Sequence, residues 1–590
     1  MFSGLRRVFL ALVTIVVLGA GARLSAADKP EIIPLSEIHP GMKGIAYTIF
    51  SGDEIEPMDL EVLGVLPNAL GPKQDIILIE LKGPKVEHTG VVSGMSGSPV
   101  YINGKLAGAI SLKLGIFNKE AIGGVTPIEN MLEVAKAGGG NQHAAASRQV
   151  SLPAEFAQQM GLGGGNFLTP IETPLISSGF YPQTLARYAS DLAAFGLTVS
   201  EGGTAAPRPD DPQIKPGSMV GMVLVRGDMS LAAGCTVTAI VGDEVFVCGH
   251  PLFGFGAVQF PLARAHVVTT LASSLASSKI LTTGGEIGTV SQDRLTAVMG
   301  RLGPAPPMIP LEISIQTPAE HKQFRFEMIQ DAKLTPIIVG LATLNGIVAN
   351  TAYGEGATLQ LTGKIEIEGH SPVILENMFA PTDIPIPDGF LISSAVQNRF
   401  ARIFTNPYEQ PRIKKISLQI NSLPEKRWAA IDSAWGDQSE VRAGDTLRVK
   451  VLLRPYRGEP YIREVPITIP AQAQRGNLRV LVSDSDTLNR MNRFLALGSP
   501  AQLNGLEELI QLLNKERQND RLYVTLLQPT PTLLVEDKEL PNVPLSEINI
   551  LDHRRNVGGS LLLGESVAGE WSVEMNQVIA GQQYLTITVK

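Results

Sequence analysis

The sequence predicts a mainly β protein built from several domains, and three observations carry that prediction. Gly (59) and Pro (41) are plentiful, while charged residues make up 18% and aromatics 5% of the chain. That balance suits short strands joined by turns rather than long helical bundles. Apolar, β-branched runs recur between turn signals along most of the length. The 590 residues also exceed what a single hydrophobic core accommodates.

The elements follow in order. Arg6 and Arg7 precede an apolar run over 8–20, and Ser25-Ala26-Ala27 supplies small residues for cleavage. Residues 1–27 therefore read as a secretory signal peptide. This run and a second apolar stretch, 336–348, are both short for a bilayer span. The mature chain is expected to be secreted or periplasmic, with no membrane span after cleavage. Residues 28–137 form the first folded part, with strand regions at 41–50, 60–66 and 75–81. The runs 99–102 and 105–111 flank Asn103-Gly104, a preferred two-residue hairpin turn. Thr126-Pro127-Ile128-Glu129 reads as a capping box opening a helix that ends near Gly138-Gly139-Gly140.

Residues 138–215 read as a less regular connector, with a glycine run at 161–165, a Pro/Asp-rich piece at 207–212 and a short helix near 182–195. Strands return over 216–416: a hairpin over 233–250, alternating runs at 311–317 and 360–367, and a short apolar helix around 336–350. Residues 417–590 read as a β-sandwich-like domain with strands at 446–453, 465–469 and 584–590. A second capping box, Ser499-Pro500-Ala501-Gln502, opens an inserted helix. Its face of Leu503, Leu506, Leu509, Ile510 and Leu513 is read as core packing.

The net charge of -8 leaves no basic excess to neutralise phosphates, which argues against a nucleic-acid partner. Cys235 and Cys248 flank the turn Val241-Gly242-Asp243-Glu244. A two-residue shift of register decides whether they pair as a disulfide or stay as two buried thiols. Together with His250 they lack a fourth zinc ligand. The 161–165 glycine run lacks the Lys-Ser/Thr of a phosphate loop. No metal or cofactor is expected.

One motif carries chemistry: Gly94-Met95-Ser96-Gly97-Ser98-Pro99. A serine hydroxyl needs a base within hydrogen-bond reach and donors for the oxyanion formed on attack. Glycines on both sides of Ser96 permit a tight turn in which the Gly94 and Ser96 N–H groups face one oxyanion pocket. The pattern is that of trypsin-like peptidases, Gly-Asp-Ser-Gly-Gly-Pro, with two substitutions, and an apolar strand follows directly. The plainer alternative is a glycine-rich turn between strands, with Ser96 bonded locally.

The run from Thr89 to Leu132 resembles the C-terminal part of SpoIVB-type serine peptidases. The likeness lies in Thr89-Gly90, Gly94-Met95-Ser96-Gly97-Ser98-Pro99, Asn103-Gly104-Lys105, Gly108-Ala109 and Gly124-Val125-Thr126-Pro127-Ile128-Glu129-Asn130-Met131-Leu132. A second signature, Gly-His after a strand, recurs as Val245-Phe246-Val247-Cys248-Gly249-His250. The resemblance implies a double β-barrel endopeptidase acting on a protein or peptide substrate, with Ser96 as nucleophile and His250 as general base. The order is reversed, since such peptidases run His, Asp, Ser; a permuted barrel pair restores the geometry. The PDZ-like insertion usual in such peptidases is missing. The family's aspartate should lie shortly before the serine motif, but Leu81-Lys82-Gly83-Pro84 holds no carboxylate. Asp75 is the candidate acid, with Glu80 on the same strand and Asp243 local to the His250 hairpin. A Ser-His dyad oriented by a backbone carbonyl is the alternative. His88 is a rival base, read as lying on an exposed turn. The expected function is an exported serine endopeptidase; the alternative is an inactive peptidase-like binding or envelope-scaffold protein.

Overall fold

The computed structural model describes residues 30–590 except 116–119, 139–148, 153–166, 196, 205–212, 274–276, 350–355, 382–387, 497–504, 530–531, 536–537, 542–560 and 564. The expected signal peptide, the 161–165 glycine run, the 207–212 piece and the 499–502 capping box lie outside the described residues.

Six strands form the first barrel: β1 (Lys43–Thr48), β2 (Glu56–Gly71), β3 (Gln74–Lys82), β4 (Pro99–Ile102), β5 (Lys105–Leu114) and β6 (Ala121–Pro127). They pair in the order β4-β1-β2-β3-β6-β5, and β4 pairs with β5 to close the ring. β3 is apolar on both faces for a reason. Ile77, Ile79 and Leu81 join one buried cluster. Ile76 and Leu78 join another on the opposite face. The hairpin between β4 and β5 turns at Asn103 (φ 51°) and Gly104 (φ 77°), both left-handed, as a two-residue turn requires.

A second ring follows: β7 (Met219–Gly227), β8 (Ser230–Val241), β9 (Glu244–Val247), β10 (Gly256–Leu271), β11 (Ser278–Arg294) and β12 (Ala297–Leu302). Here β8 is followed round the ring by β9, β12, β11, β10 and β7, and β7 pairs back with β8. The two rings share one connection pattern, with the third strand beside the sixth and the fourth beside the first. The mainly β barrel fold expected from the sequence is the one observed, and the barrel bearing Ser96 precedes the barrel bearing His250.

Beyond barrel two its sheet continues through Ile309–Gln316, His321–Met328, Ile413–Leu423, Thr358–Ile367 and Val373–Phe379. Position 417 lies inside the strand Ile413–Leu423, which pairs with Ile309–Gln316 and Thr358–Ile367. The C-terminal sheets begin after it, at Trp428. A four-stranded and a five-stranded sheet face each other there, sharing a core of Val449, Val451 and Ile467 from one and Val480, Val524 and Ile587 from the other. The helix Leu506–Asn514 interrupts this sandwich, and its Leu506, Leu509, Ile510 and Leu513 are buried in the cluster that also holds Ile392 and Val396. That stripe is core, as its spacing predicts. Among the described residues, no helix is long and apolar enough to cross a membrane.

Candidate active site

The barrels meet through two loops, one carrying Ser96 and the other His250. In barrel one the connection from third to fourth strand carries a short helix, Pro84–Thr89, and then the Ser96 turn. In barrel two the same connection carries His250. Each loop is bonded into the other barrel. Thr236 on β8 donates its N–H to the Ser96 carbonyl (2.8 Å) and its hydroxyl to the Gly94 carbonyl (3.0 Å). The Thr238 hydroxyl donates to the Gly97 carbonyl (2.7 Å). In return the Thr126 hydroxyl donates to the Gly249 carbonyl (2.7 Å). That last bond overrides a local expectation. Thr126 does not cap the helix Ile128–Leu132, whose N-cap is Pro127 without a side-chain bond, because its hydroxyl is engaged across the interface.

The Ser96 turn is built by left-handed glycines, Gly94 and Gly97 both at φ 94°, a region closed to most side chains. The Met95, Gly97 and Ser98 N–H groups bond Val92, Ile110 and Met95 carbonyls. Neither the Gly94 nor the Ser96 N–H has an acceptor among the described residues. Those are the two donors expected to form the oxyanion pocket. The Ser96 side chain is fully buried, and its hydroxyl lies 3.6 Å from the Cys235 sulfur. That sulfur is bonded to Cys248 in a disulfide, so the hydroxyl is the donor.

His250 follows two consecutive left-handed residues, Cys248 (φ 69°) and Gly249 (φ 70°). Its Nδ1 lies 2.8 Å from the Pro251 carbonyl. A carbonyl only accepts, so Nδ1 carries the proton and Nε2 keeps a lone pair. Nε2 is buried and has no partner. Burial holds the ring's pKa below the ordinary histidine value, against the bond to Pro251, which raises it. The ring is therefore neutral at pH 7, the state a general base requires.

Asp75 sits at the tip of the β2–β3 hairpin. Its carboxylate accepts the Asn68 N–H at 2.6 Å, and no hydrogen bond joins it to His250 among the described residues. Glu80 pairs with Lys82 (3.4 Å), and Asp243 lies in the exposed β8–β9 turn, its carbonyl accepting the Leu302 N–H. His88 is exposed in the last turn of the helix Pro84–Thr89.

The carboxylate that does serve the His250 loop was missed by sequence reasoning. Asp293, fully buried near the end of β11, accepts the N–H groups of Leu252, Phe253 and Gly254 at 2.8 Å and of Phe255 at 3.4 Å. Burial pushes its carboxyl up to about 6, against the four N–H groups, which lower it. Gln292-Asp293-Arg294 carries no local signal, because the loop it holds is some forty positions away in sequence and only barrel closure brings the two together.

Residues 22–132 match the SpoIVB peptidase S55 family model. The match takes in barrel one with Gly94, Ser96 and Asp75, and it ends before His250 and barrel two. The likeness is thus to serine peptidases of the SpoIVB kind, whose substrates are proteins. No curated protein and no solved structure matches the chain.

A second buried ionisable group packs against the serine turn. Lys279 is fully buried; its stem packs on Gly94, and its Nζ donates to the Thr48 hydroxyl at 2.8 Å. Burial pushes its pKa from 10.5 down to about 7. Between those values the unfolded chain holds a proton that the folded chain releases. Stability therefore falls as pH drops from 10.5 towards 7. Lys279→Met is expected to stabilise the protein at pH 7 by roughly 2–4 kcal/mol after the lost Thr48 bond is deducted. Read by hydrogen exchange on peptides of the two barrels, corrected for intrinsic rates, the difference from the parent should shrink as pH rises towards 10; a difference that stays constant with pH sinks this account.

Proposed function

We propose that the protein is an exported serine endopeptidase in which Ser96 is the nucleophile, His250 the general base, and the Gly94 and Ser96 N–H groups the oxyanion donors. The observation that carries this reading is the state of His250. Its proton is committed to the Pro251 carbonyl, and a bare, buried Nε2 is left over. A backbone carbonyl takes the orienting role that an aspartate has in a triad. Asp75 has no part in the proposed site, since its carboxylate closes a turn.

In the proposed reaction Nε2 takes the Ser96 proton as Oγ bonds to the substrate carbonyl carbon. The oxyanion is held by the two N–H groups. His250 then gives the proton to the leaving amine, and the C–N bond breaks. Water, deprotonated by the same nitrogen, hydrolyses the acyl-enzyme. Both side chains are buried, so the two loops must part for a peptide to enter. The 1–27 leader supports export, and the disulfide fits an oxidising compartment.

A second reading has one observation in its favour. The Ser96 hydroxyl is fully buried, with the Cys235 sulfur as its neighbour, which suits a peptidase-like scaffold that no longer turns over. A fluorophosphonate probe followed by peptide mass spectrometry separates the two. The endopeptidase reading expects covalent modification at Ser96, abolished by His250→Ala. An unmodified Ser96 after prolonged incubation leaves the scaffold reading.

A further inference from the structure

The disulfide links the neighbour of Ser96 to the loop that carries His250. Cys235 lies on β8, and its sulfur is the polar neighbour of the Ser96 hydroxyl. Cys248 lies just past β9, two residues before His250, and both cysteines are fully buried. Cys248 adopts φ 69°, a left-handed conformation that glycine takes freely and a side-chain-bearing residue takes only under constraint. Its own N–H makes just a long bond, 3.4 Å, to the Thr236 carbonyl. The disulfide to Cys235 adds a covalent restraint on that residue. If Cys248 relaxes to a right-handed conformation, the chain leaves β9 in another direction and His250 moves with it. The barrel itself does not depend on this residue, because β8 and β9 stay paired from Val237↔Val247 to Val241↔Glu244 and β9 stays paired with β12.

We propose that the Cys235–Cys248 disulfide is a positioning element of the Ser96–His250 pair, acting beside the Thr126 and Asp293 bonds to the same loop, and that its reduction disables the pair while leaving both barrels folded. The inference rests on the catalytic reading above. The chemistry is a two-electron exchange with a dithiol: the Sγ–Sγ bond breaks, each cysteine gains a proton and becomes a thiol, and the dithiol closes to its own disulfide. The protein would then work only where such a reductant is scarce.

The test compares the full-length parent with Cys235→Ala/Cys248→Ala and Cys235→Ala/Cys248→Gly. Both variants lack the tether, but glycine at 248 keeps the left-handed turn accessible. Two rates are read by mass spectrometry: fluorophosphonate modification of Ser96, and carbethoxylation of His250 by diethyl pyrocarbonate. With alanine at 248, Ser96 modification should fall about a hundredfold, the scale that a displacement of about 1 Å produces at a reacting centre. His250, now released, should react about tenfold faster. With glycine at 248 both rates should return most of the way to the parent's. A merely structural disulfide would lower the stability of both variants without separating them. Parental His250 rates in both variants overturn the proposal. If the parent's Ser96 does not react at all, the catalytic reading falls by itself, and the His250 rates still decide the positioning role.

Discussion

Removing Ser96, His250 or both should lower kcat/KM on a peptide substrate by nearly the same factor, on the order of 10⁴ to 10⁶. The equality matters more than the size. A nucleophile and its base act on one proton in one step, so once either is gone the other contributes nothing. Ser96→Ala, His250→Ala and the double variant therefore form a cycle whose losses do not add. Residual turnover in all three reports only the oxyanion donors and substrate binding. Losses that multiply in the double variant would mean that the residues act independently, and unchanged activity would sink the catalytic reading. The pH profile gives a second check. Burial holds the His250 pKa below 6.5, so the acid limb of kcat/KM should fall below that pH, where protonation removes the Nε2 lone pair. Burial pushes the Asp293 carboxyl up to about 6 and it holds the same loop, so a second inflection there is the loop's and should vanish in Asp293→Asn.

Much of this arrangement was legible in the sequence, and the illegible part has a common cause. The Asn103-Gly104 turn, the hairpin ending at His250 and the apolar stripe from Leu506 to Leu513 depend on neighbours a few residues away, and all three formed as read. The long strands β10 and β11 were not recognised, because bulges interrupt their pairing at four places and break the alternation that marks a strand. Without them the second ring could not be counted. The equivalence of the two third-to-fourth connections, one with Ser96 and one with His250, therefore stayed hidden. Asp293 was missed for the same reason. The helix Asp388–Phe404 is a different case. Ile392, Val396, Phe400 and Ile403 are buried at helical spacing, a periodicity present in the sequence and overlooked. Thr126 shows the reverse error: a local capping rule was satisfied by pattern, and a partner across the interface won.

Gly97→Ala should separate the two barrels where the site is assembled. A Cβ at this position would lie 2.0 Å from the Thr236 carbonyl oxygen and 2.6 Å from the Cys248 nitrogen. Both are backbone atoms of barrel two, one on β8 and the other just past β9, so neither can rotate away. The substitution also places a side-chain-bearing residue at φ 94°. Backbone strain of about 1–3 kcal/mol adds to an overpacking cost of about 1–3 kcal/mol or more. The forced movement lengthens the bonds from Thr236 to Ser96 and from Thr238 to Gly97, which hold the serine turn against β8. Gly104→Ala is the control. Its φ is also left-handed, 77°, but nothing lies within 4 Å of the added carbon, so it should cost only about 1 kcal/mol. Because the chain holds several cores, whole-protein melting is a poor probe; hydrogen exchange read by peptide is better. Gly97→Ala should speed exchange in the segments around 90–98 and 233–250 and abolish Ser96 modification, with the C-terminal sandwich unaffected. Gly104→Ala should leave both segments protected and Ser96 as reactive as in the parent. If the two alanines behave alike, then the conformation at 97 matters and the contact with barrel two does not, and the site is not held together as described.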